Sequence, residues 1–210
     1  MTRLALVLAF TAALAACADQ PPSSPRNPLD AERAATVTIL NSQGRGCCSG
    51  VSVLSNDGTP VIATAAHCVM HPIDPFDSES ATFAMTGDAV WFMTWRGHVP
   101  QFGRIRTIDL DRDVAELVTT LDAPAPVGRA LLCDACSVTV HAVSALYNAL
   151  SYGEIDAQPI GFFWTSTISV QPGWSGSPVF VDGRVVGLIG ACVMAEGVCF
   201  PRLSIIAGLP

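Results

Sequence analysis

Short apolar runs separated by turn-forming residues are the feature that most restricts how this chain can fold. Ten such runs occur, and each is only four to six residues long. Runs of this length suit strands, because helices in globular proteins are usually longer. The 17 glycines and 15 prolines supply turns between them, and the Asp-Gly pair at 182–183 predicts a hairpin. The chain is therefore predicted to be all-β, with strands near 36–40, 50–54, 61–65, 90–95, 114–118, 138–143, 160–164, 178–181, 185–189 and 203–206.

A proline-rich segment divides the chain near its middle. Residues 121–128 (LDAPAPVG) contain two prolines and one glycine, a composition typical of a linker. The parts that it separates, 30–120 and 129–210, have roughly ninety residues each and are small for independent stability. We expect them to pack on a shared apolar face with a cleft at their junction, where binding sites usually form.

The first residues have the features of an export signal. One positive charge, Arg3, precedes the run 4–16, which is apolar apart from Thr11. As a helix this run would span only about 20 Å, less than the roughly 30 Å of a bilayer core. It is therefore predicted to be a signal peptide at 1–16 and not a membrane span.

The signal ends in the sequence LAAC, which resembles a bacterial lipoprotein cleavage site with Cys17 as the acylated residue. Ordinary cleavage nearby, with Cys17 as a spare thiol, is the alternative. Residues 17–29 are rich in proline and polar residues and are predicted to be a flexible tether. We expect an exported protein, held by its lipid at a membrane in the periplasm or at the cell surface.

Charge narrows the range of partners. The formal net charge is −7, all eleven basic residues are arginine, and no basic cluster occurs. Nucleic-acid binding would need such a cluster, so it is excluded. Membrane contact is expected only through the lipid.

The cysteine count fits an oxidising compartment. Of the eight cysteines, seven remain without Cys17, which allows at most three bridges and one odd thiol. Zinc is the rival explanation, since Cys133 and Cys136 have ligand spacing, but no second ligand pair is evident. We predict no metal.

Three short motifs carry residues that could perform chemistry. His67 lies in the run 64–68 (TAAHC), just after a predicted strand, and Asp113 lies in the run 112–117 (RDVAEL). Asp109 and Asp111 lie close enough to be mistaken for Asp113. A His could act as a general base, and a buried carboxylate could hold its tautomer. Each motif alone would more often be structural.

The third motif is the segment 172–179 (PGWSGSPV). Its glycines permit a tight turn, which could direct the N–H groups of Gly173 and Ser175 toward one point as an oxyanion hole while the Ser175 hydroxyl attacks. Taken alone, this loop could be an ordinary Gly/Ser turn.

Together, and in the order His, Asp, Ser, the motifs resemble the chymotrypsin-like (trypsin-like) serine peptidases. The Ser-Pro pair near the end of the third motif is more similar to the bacterial glutamyl endopeptidase branch. The resemblance spans roughly residues 30–206. It implies two packed six-stranded antiparallel β-barrels, a catalytic triad of His67, Asp113 and Ser175, no cofactor, and hydrolysis of polypeptide substrates through an acyl-enzyme.

The resemblance also implies a Cys48–Cys68 disulfide beside the catalytic His. A second bridge, Cys192–Cys199, is our own inference from a predicted hairpin whose ends could approach within bonding distance. Cys133–Cys136 could form a third, which would leave Cys47 as the odd thiol.

Two departures from the family concern activation and specificity. Trp174 stands where trypsin-like zymogens carry an Asp that receives a new N-terminus, so folding alone should assemble the site. By the same comparison the pocket floor is Ser169, and Ile189 stands where glutamyl endopeptidases carry a His. The pocket walls are two short segments, one formed by Gly190, Ala191 and Cys192 and the other running from Gly197 to Cys199. Small, uncharged walls of this kind favour a small or medium apolar substrate side chain.

Two other functions stay open at this point. A catalytically silent, peptide-binding relative could use the same fold. A metal- or redox-active protein could use Cys133 and Cys136.

Overall fold

The computed structural model describes residues 27–70, 85–95, 97, 99–119, 123–131, 138–160, 163–195 and 198–205, with side chains except at 156–160, 163 and 191–205. Its strands form two closed antiparallel barrels of six strands each, so the predicted architecture is confirmed. The predicted signal peptide, Cys17, Cys133, Cys136 and Gly197 lie outside the described residues. No helix in the described ranges is long and apolar enough to cross a membrane.

The first barrel follows a short helix, α1 (Pro28–Ala35). Its strand order is β1-β2-β3-β6-β5-β4. The strands are β1 (Thr36–Leu40), β2 (Gly46–Leu54), β3 (Pro60–Thr64), β4 (Ala89–Thr94), β5 (Gln101–Asp109) and β6 (Val114–Thr119).

The second barrel has the strand order β10-β11-β12-β9-β8-β7. Its strands are β7 (Val138–Ser144), β8 (Ala149–Ile160), β9 (Phe163–Ser166), β10 (Pro178–Val181), β11 (Arg184–Ala195) and β12 (Val198–Ile205). The predicted hairpin at 182–183 joins β10 to β11, and Asp182 and Gly183 both have positive φ, at 48° and 76°. Positive φ at both central residues is what the hairpin turn of this length requires.

Four elements differ from the sequence prediction. The predicted strand at 160–164 is instead the end of β8 and the start of β9, since Ile160 pairs with Phe163 across two antiparallel strands. Strands β5 and β8 were not predicted as such, because their apolar residues are few and widely spaced. The helix α1 was not predicted either, although Asn27 caps it by accepting the Leu29 N–H at 3.2 Å and Pro28 is its first residue.

The two barrels share a buried apolar core. Phe180 and Leu188 of the second barrel are fully buried against side chains of the first. The cluster consists of Ala35, Val51, Val53, Val61, Ala63 and Val114 from α1 and the first barrel, and Val143, Phe180, Val185 and Leu188 from the second. This core holds the two barrels together.

The segment between the barrels is bonded to both of them. Val127 donates its N–H to the Ser52 carbonyl at 3.0 Å, and Val185 donates to the Gly128 carbonyl at 2.9 Å. Arg129 forms an ion pair with Glu116 at 3.1 Å, and both side chains are largely buried. This segment is therefore held in place on both sides, unlike a free linker.

One disulfide ties β2 to the short turn that follows β3. Cys48 and Cys68 are bonded, with their Cα atoms 6.0 Å apart, and this is the pair that the family resemblance implied. Both residues are buried in the core of the first barrel.

Replacing both cysteines by serine should lower the free energy of unfolding. The bridge closes a loop of 20 residues, and its loss should cost about 3 kcal/mol by the loop-entropy relation. Urea unfolding of wild type and of the Cys48→Ser/Cys68→Ser variant measures the difference. A change below about 1 kcal/mol would contradict the expectation, since a typical native bridge contributes about 2–4 kcal/mol.

Candidate active site

His67 lies on a single 3-10 turn, Ala66–Cys68, that follows β3. The Cys48–Cys68 disulfide fixes the residue next to it. The His67 side chain is 44% exposed, so the imidazole stands at the surface on a firmly held backbone. A reacting group could approach it without rearrangement of the core.

Asp113 holds this imidazole by its Nδ1 side. The Nδ1 atom lies 2.8 Å from Asp113 Oδ2 and 3.0 Å from Oδ1. Because an ionised carboxylate only accepts hydrogen bonds, Nδ1 carries the hydrogen and Nε2 is left as an acceptor. This is the tautomer that a general base needs.

The same aspartate also binds the backbone that carries the imidazole. Its Oδ1 accepts the His67 N–H at 3.0 Å, and its own carbonyl accepts the Ala66 N–H at 3.1 Å. Asp113 therefore orients both the ring and the turn on which the ring stands.

The position of Asp113 depends on an unusual backbone conformation. It is the last residue of the turn before β6 and has φ of +53°. Aspartate is one of the few residues with a side chain that adopts the left-handed region at modest cost.

The two neighbouring aspartates have other roles. Asp109 Oδ1 accepts the Arg112 N–H at 2.9 Å within the same turn, and Asp111 is exposed. Of the three candidates, only Asp113 contacts His67, as the sequence analysis expected.

Ser175 is the second residue of the second of two consecutive tight turns, 171–174 and 174–177. The Trp174 N–H donates to the Gln171 carbonyl at 3.1 Å, and the Ser177 N–H donates to the Trp174 carbonyl at 2.9 Å. The third residues of these turns are Gly173 and Gly176, with φ of +93° and +74°. Glycine with positive φ at the third position identifies both as type II turns.

The second turn packs against the first barrel. The Ser49 N–H donates to the Ser175 carbonyl at 2.9 Å, and Thr64 Oγ1 donates to the Ser49 carbonyl at 2.7 Å. A Cβ on Gly176 would lie 2.1 Å from that carbonyl oxygen and 2.5 Å from Thr64 Oγ1. Only glycine allows this approach, which brings Ser175 beside the segment that leads to His67.

The backbone around Ser175 leaves two donors available. Within the described part of the chain, neither the Gly173 N–H nor the Ser175 N–H donates to a protein acceptor. These are the two groups expected to form the oxyanion hole. Likewise, no hydrogen bond among the described residues joins His67 Nε2 to the Ser175 hydroxyl. Such bonds are often long in unliganded active sites.

Trp174 turns away from this surface. Its side chain is 5% exposed and packs in the core of the second barrel, while its Nε1 has no acceptor among the described residues. The indole therefore anchors the loop by apolar burial in the second barrel.

The structure describes three residues of the predicted substrate pocket, Ser169, Ile189 and Gly190. Ser169 is exposed, and its carbonyl accepts the Ser151 hydroxyl at 2.8 Å. Gly190 is buried next to Ile189, whose side chain lies in the core of the second barrel. The side chains of Ala191 and Cys192 lie outside the described residues.

The predicted Cys192–Cys199 bridge stays a prediction, because both side chains lie outside the described residues. The backbone pairs Cys192 with Pro201 and Cys199 with Met194. The two cysteines are therefore offset by two residues across the strands, where side chains are farther apart than in directly opposed pairs.

The metal alternative based on Cys133 and Cys136 stays untested, because both residues lie outside the described part of the chain. Cys48, His67 and Cys68 have potential ligand atoms within 4.8 Å of one another, but two of these atoms form the disulfide. Burial raises the pKa of the Cys47 thiol to about 11, so it stays protonated at neutral pH and is a poor nucleophile or ligand.

Sequence reasoning missed two residues that shape this site. Thr64 carries the hydroxyl that binds the Ser49 carbonyl, and Tyr147 donates its hydroxyl to the Pro172 carbonyl. The Pro-Gly pair at 172–173 could have predicted the type II turn. No sequence signal points to Thr64 or Tyr147.

Solved structures with a similar fold are chymotrypsin-like serine proteases. The Rv3671c protease of M. tuberculosis, in its inactive form, has a TM-score of 0.57 at 18% identity, over 84% of this chain and 86% of that chain. A serine-to-alanine mutant of the same protease gives 0.58 at 20% identity, over 89% and 91%. A human pathogenic astrovirus serine protease gives 0.55 at 21% identity, over 83% and 90%.

No protein-family model matches the sequence, and no curated protein matches it. At these low identities the structural likeness establishes the chymotrypsin-like double-barrel fold. It does not by itself establish an activity.

Replacing Gly176 by alanine should disrupt the site, because the added Cβ would overlap two oxygen atoms. Gly44→Ala is the matched control, since Gly44 has φ of +72° and no atom within 4 Å of such a Cβ. The control should lose only about 1–2 kcal/mol from backbone strain. Gly176→Ala should lose at least about 2 kcal/mol more from overlap, measured by urea unfolding. Equal losses would show that the contact with Ser49 is unimportant.

Proposed function

We propose that the protein is a serine endopeptidase that hydrolyses peptide bonds with His67, Asp113 and Ser175. The observation that carries the proposal is the pairing of His67 Nδ1 with Asp113 at 2.8 Å, which leaves Nε2 as an acceptor. The chymotrypsin-like fold and the turns that present Ser175 support the same function.

Acylation begins when Ser175 Oγ attacks the carbonyl carbon of the substrate and its proton passes to His67 Nε2. Asp113 stabilises the resulting imidazolium. The N–H groups of Gly173 and Ser175 donate to the oxyanion of the tetrahedral intermediate. The C–N bond then breaks, and the departing amine takes the proton from His67.

Deacylation repeats these steps with water. His67 accepts a proton from the water as its oxygen attacks the acyl carbon, and a second tetrahedral intermediate forms. This intermediate releases the carboxylic acid product, and Ser175 Oγ recovers the proton from His67.

Folding alone should assemble this site. The Trp174 indole is buried where the family's zymogens place a carboxylate, and apolar burial requires no newly freed N-terminal amine. The protein is therefore proposed to be active without cleavage of an activation peptide.

Preference for a small or medium apolar side chain is proposed for the substrate pocket. Ser169 and Gly190 contribute no charge to it. Membership in the glutamyl endopeptidase branch stays a prediction that rests on the Ser-Pro ending of the loop. The buried Ile189 offers no polar group for a Glu side chain.

The second candidate function is a catalytically silent, peptide-binding relative. It is favoured by one observation, the lack of a His67–Ser175 hydrogen bond among the described residues. The experiment on Ser175 below separates the two functions.

Ser175→Ala should abolish both peptide hydrolysis and labelling by a fluorophosphonate probe. In labelling, an Oγ–P bond forms as the P–F bond breaks, fluoride leaves, and the serine proton passes to His67. His67→Ala should have a comparable effect, because triad members act as a unit whose loss costs about 10⁶ in kcat. Asp113→Asn should lower kcat by about 10⁴ through the wrong tautomer.

The matched control is Ser177→Ala. Ser177 lies two positions after Ser175, and its hydroxyl is fully buried with no hydrogen-bond partner among the described residues. It should label normally. Absence of labelling and hydrolysis in the wild type would favour the silent relative, and undiminished activity in Ser175→Ala would refute the assignment of the nucleophile.

We also propose that the protein is exported and tethered to a membrane by lipid on Cys17. The support is the apolar run 4–16 followed by the sequence LAAC.

Metabolic labelling with a fatty-acid analogue should mark the wild type and find it in the membrane fraction. Cys17→Ser should lose the label and be released or left unprocessed. Ser23→Ala, a control in the same tether, should keep the label. A wild type without label would refute lipidation.

A further inference from the structure

The tip of the β7–β8 hairpin covers the loop that carries Ser175. Leu146 and Tyr147 lie in the turn between these strands. A Cβ on Gly173 would lie 2.8 Å from Leu146 Cδ2 and 2.8 Å from the Tyr147 hydroxyl. The hairpin tip therefore packs directly on the residue expected to supply one oxyanion donor.

One hydrogen bond joins this tip to the loop. The Tyr147 hydroxyl donates to the Pro172 carbonyl oxygen at 2.5 Å. Pro172 and Gly173 are the central residues of the turn 171–174, so the bonded oxygen belongs to the central peptide of that turn.

The orientation of this peptide decides where the Gly173 N–H points. Type I and type II turns differ in that the plane of the central peptide is rotated by about half a turn. Because the peptide is trans and planar, its C=O and N–H point in opposite directions. Holding the Pro172 oxygen on the Tyr147 side keeps the Gly173 N–H on the other side, where no described protein group accepts it.

The hydrogen bond within the turn does not select between the two orientations of the Pro172–Gly173 peptide. The bond from Trp174 N–H to the Gln171 carbonyl closes both turn types equally well. Gly173 is free to adopt either sign of φ. In the type I turn the Pro172 oxygen would leave the Tyr147 hydroxyl, so this contact distinguishes the two orientations.

We propose that Tyr147 is a positioning residue for the oxyanion hole, whose hydroxyl holds the Pro172–Gly173 peptide in the orientation that presents the Gly173 N–H. This inference rests on the proposed function, because an oxyanion hole has a role only in the proposed acyl transfer. Tyr147 does not contact the reacting atoms in this role. It acts through the peptide that it binds.

The test compares Tyr147→Phe with Tyr152→Phe by saturation labelling with a fluorophosphonate probe. Tyr152 on β8 is the matched control, since its hydroxyl has no hydrogen-bond partner among the described residues. The measured quantities are kinact, which reports the chemical step, and KI, which reports binding of the probe before reaction.

Tyr147→Phe should lower kinact about five- to tenfold with KI unchanged, as expected for losing one hydrogen bond that orients a donor. This is less than the loss of about 10²–10³ for removing such a donor outright. Tyr152→Phe should match wild type in both constants. Tyr152→Phe should keep the wild-type melting temperature, and Tyr147→Phe should fall below it by no more than about 4 °C, the shift expected for one lost hydrogen bond.

The outcomes separate this inference from the function on which it rests. If the wild type labels at Ser175 and Tyr147→Phe keeps the wild-type kinact, the role of Tyr147 is overturned while the peptidase assignment stands. A raised KI with unchanged kinact would place Tyr147 in probe binding and also overturn the inference. A fall in kinact that Tyr152→Phe also shows, or that comes with a fall in melting temperature well above about 4 °C, would show general loosening and overturn the inference. Failure of the wild type to label would overturn both proposals.

Discussion

The contact between strand β2 and the Ser175 loop is the constraint on which the rest of the site depends. His67 and Asp113 belong to the first barrel, whereas Ser175 belongs to the second. The Ser49 N–H binds the Ser175 carbonyl at 2.9 Å, and the Ser49 carbonyl lies against Gly176. Because Cys48, the neighbour of Ser49, is bridged to the neighbour of His67, this contact sets the position of the loop relative to the imidazole. A shift of either barrel would separate the proposed base from the proposed nucleophile.

The site is rigid because each of its parts is held by a different kind of interaction. A disulfide and a carboxylate hold the His67 turn. Two type II turns and a close backbone approach hold the Ser175 loop, and the buried Trp174 indole anchors it in the second barrel. The shared apolar core between the barrels keeps these parts together. A site fixed in this way can keep donors and acceptors in place before the substrate arrives, which is how electrostatic stabilisation of a transition state becomes effective.

The strands that the sequence predicted are those whose burial is reflected in continuous apolar runs. All five residues of β1 are buried, and β10 is buried along most of its length. Strand β5 was missed because its buried positions are Gly103 and Ile105 among polar neighbours. The helix α1 was missed because its buried residues are Glu32 and Ala35 and form no apolar stripe. Glu32 is buried through its 2.6 Å contact with His141, which lies 109 positions away in the chain.

The sequence by itself determined the all-β class and the three motifs that name His67, Asp113 and Ser175 as candidates, because turn chemistry and strand patterning are written in neighbouring residues. Only the tertiary structure decided which aspartate meets the imidazole, where the Trp174 side chain goes, and that Tyr147 holds the Pro172 peptide. Each of these depends on contacts between segments of one barrel that are far apart in the sequence, since 46 positions separate His67 from Asp113 and 25 separate Tyr147 from Pro172. Contacts of this range are set by how whole strands pack and pair, which no local run of residues encodes.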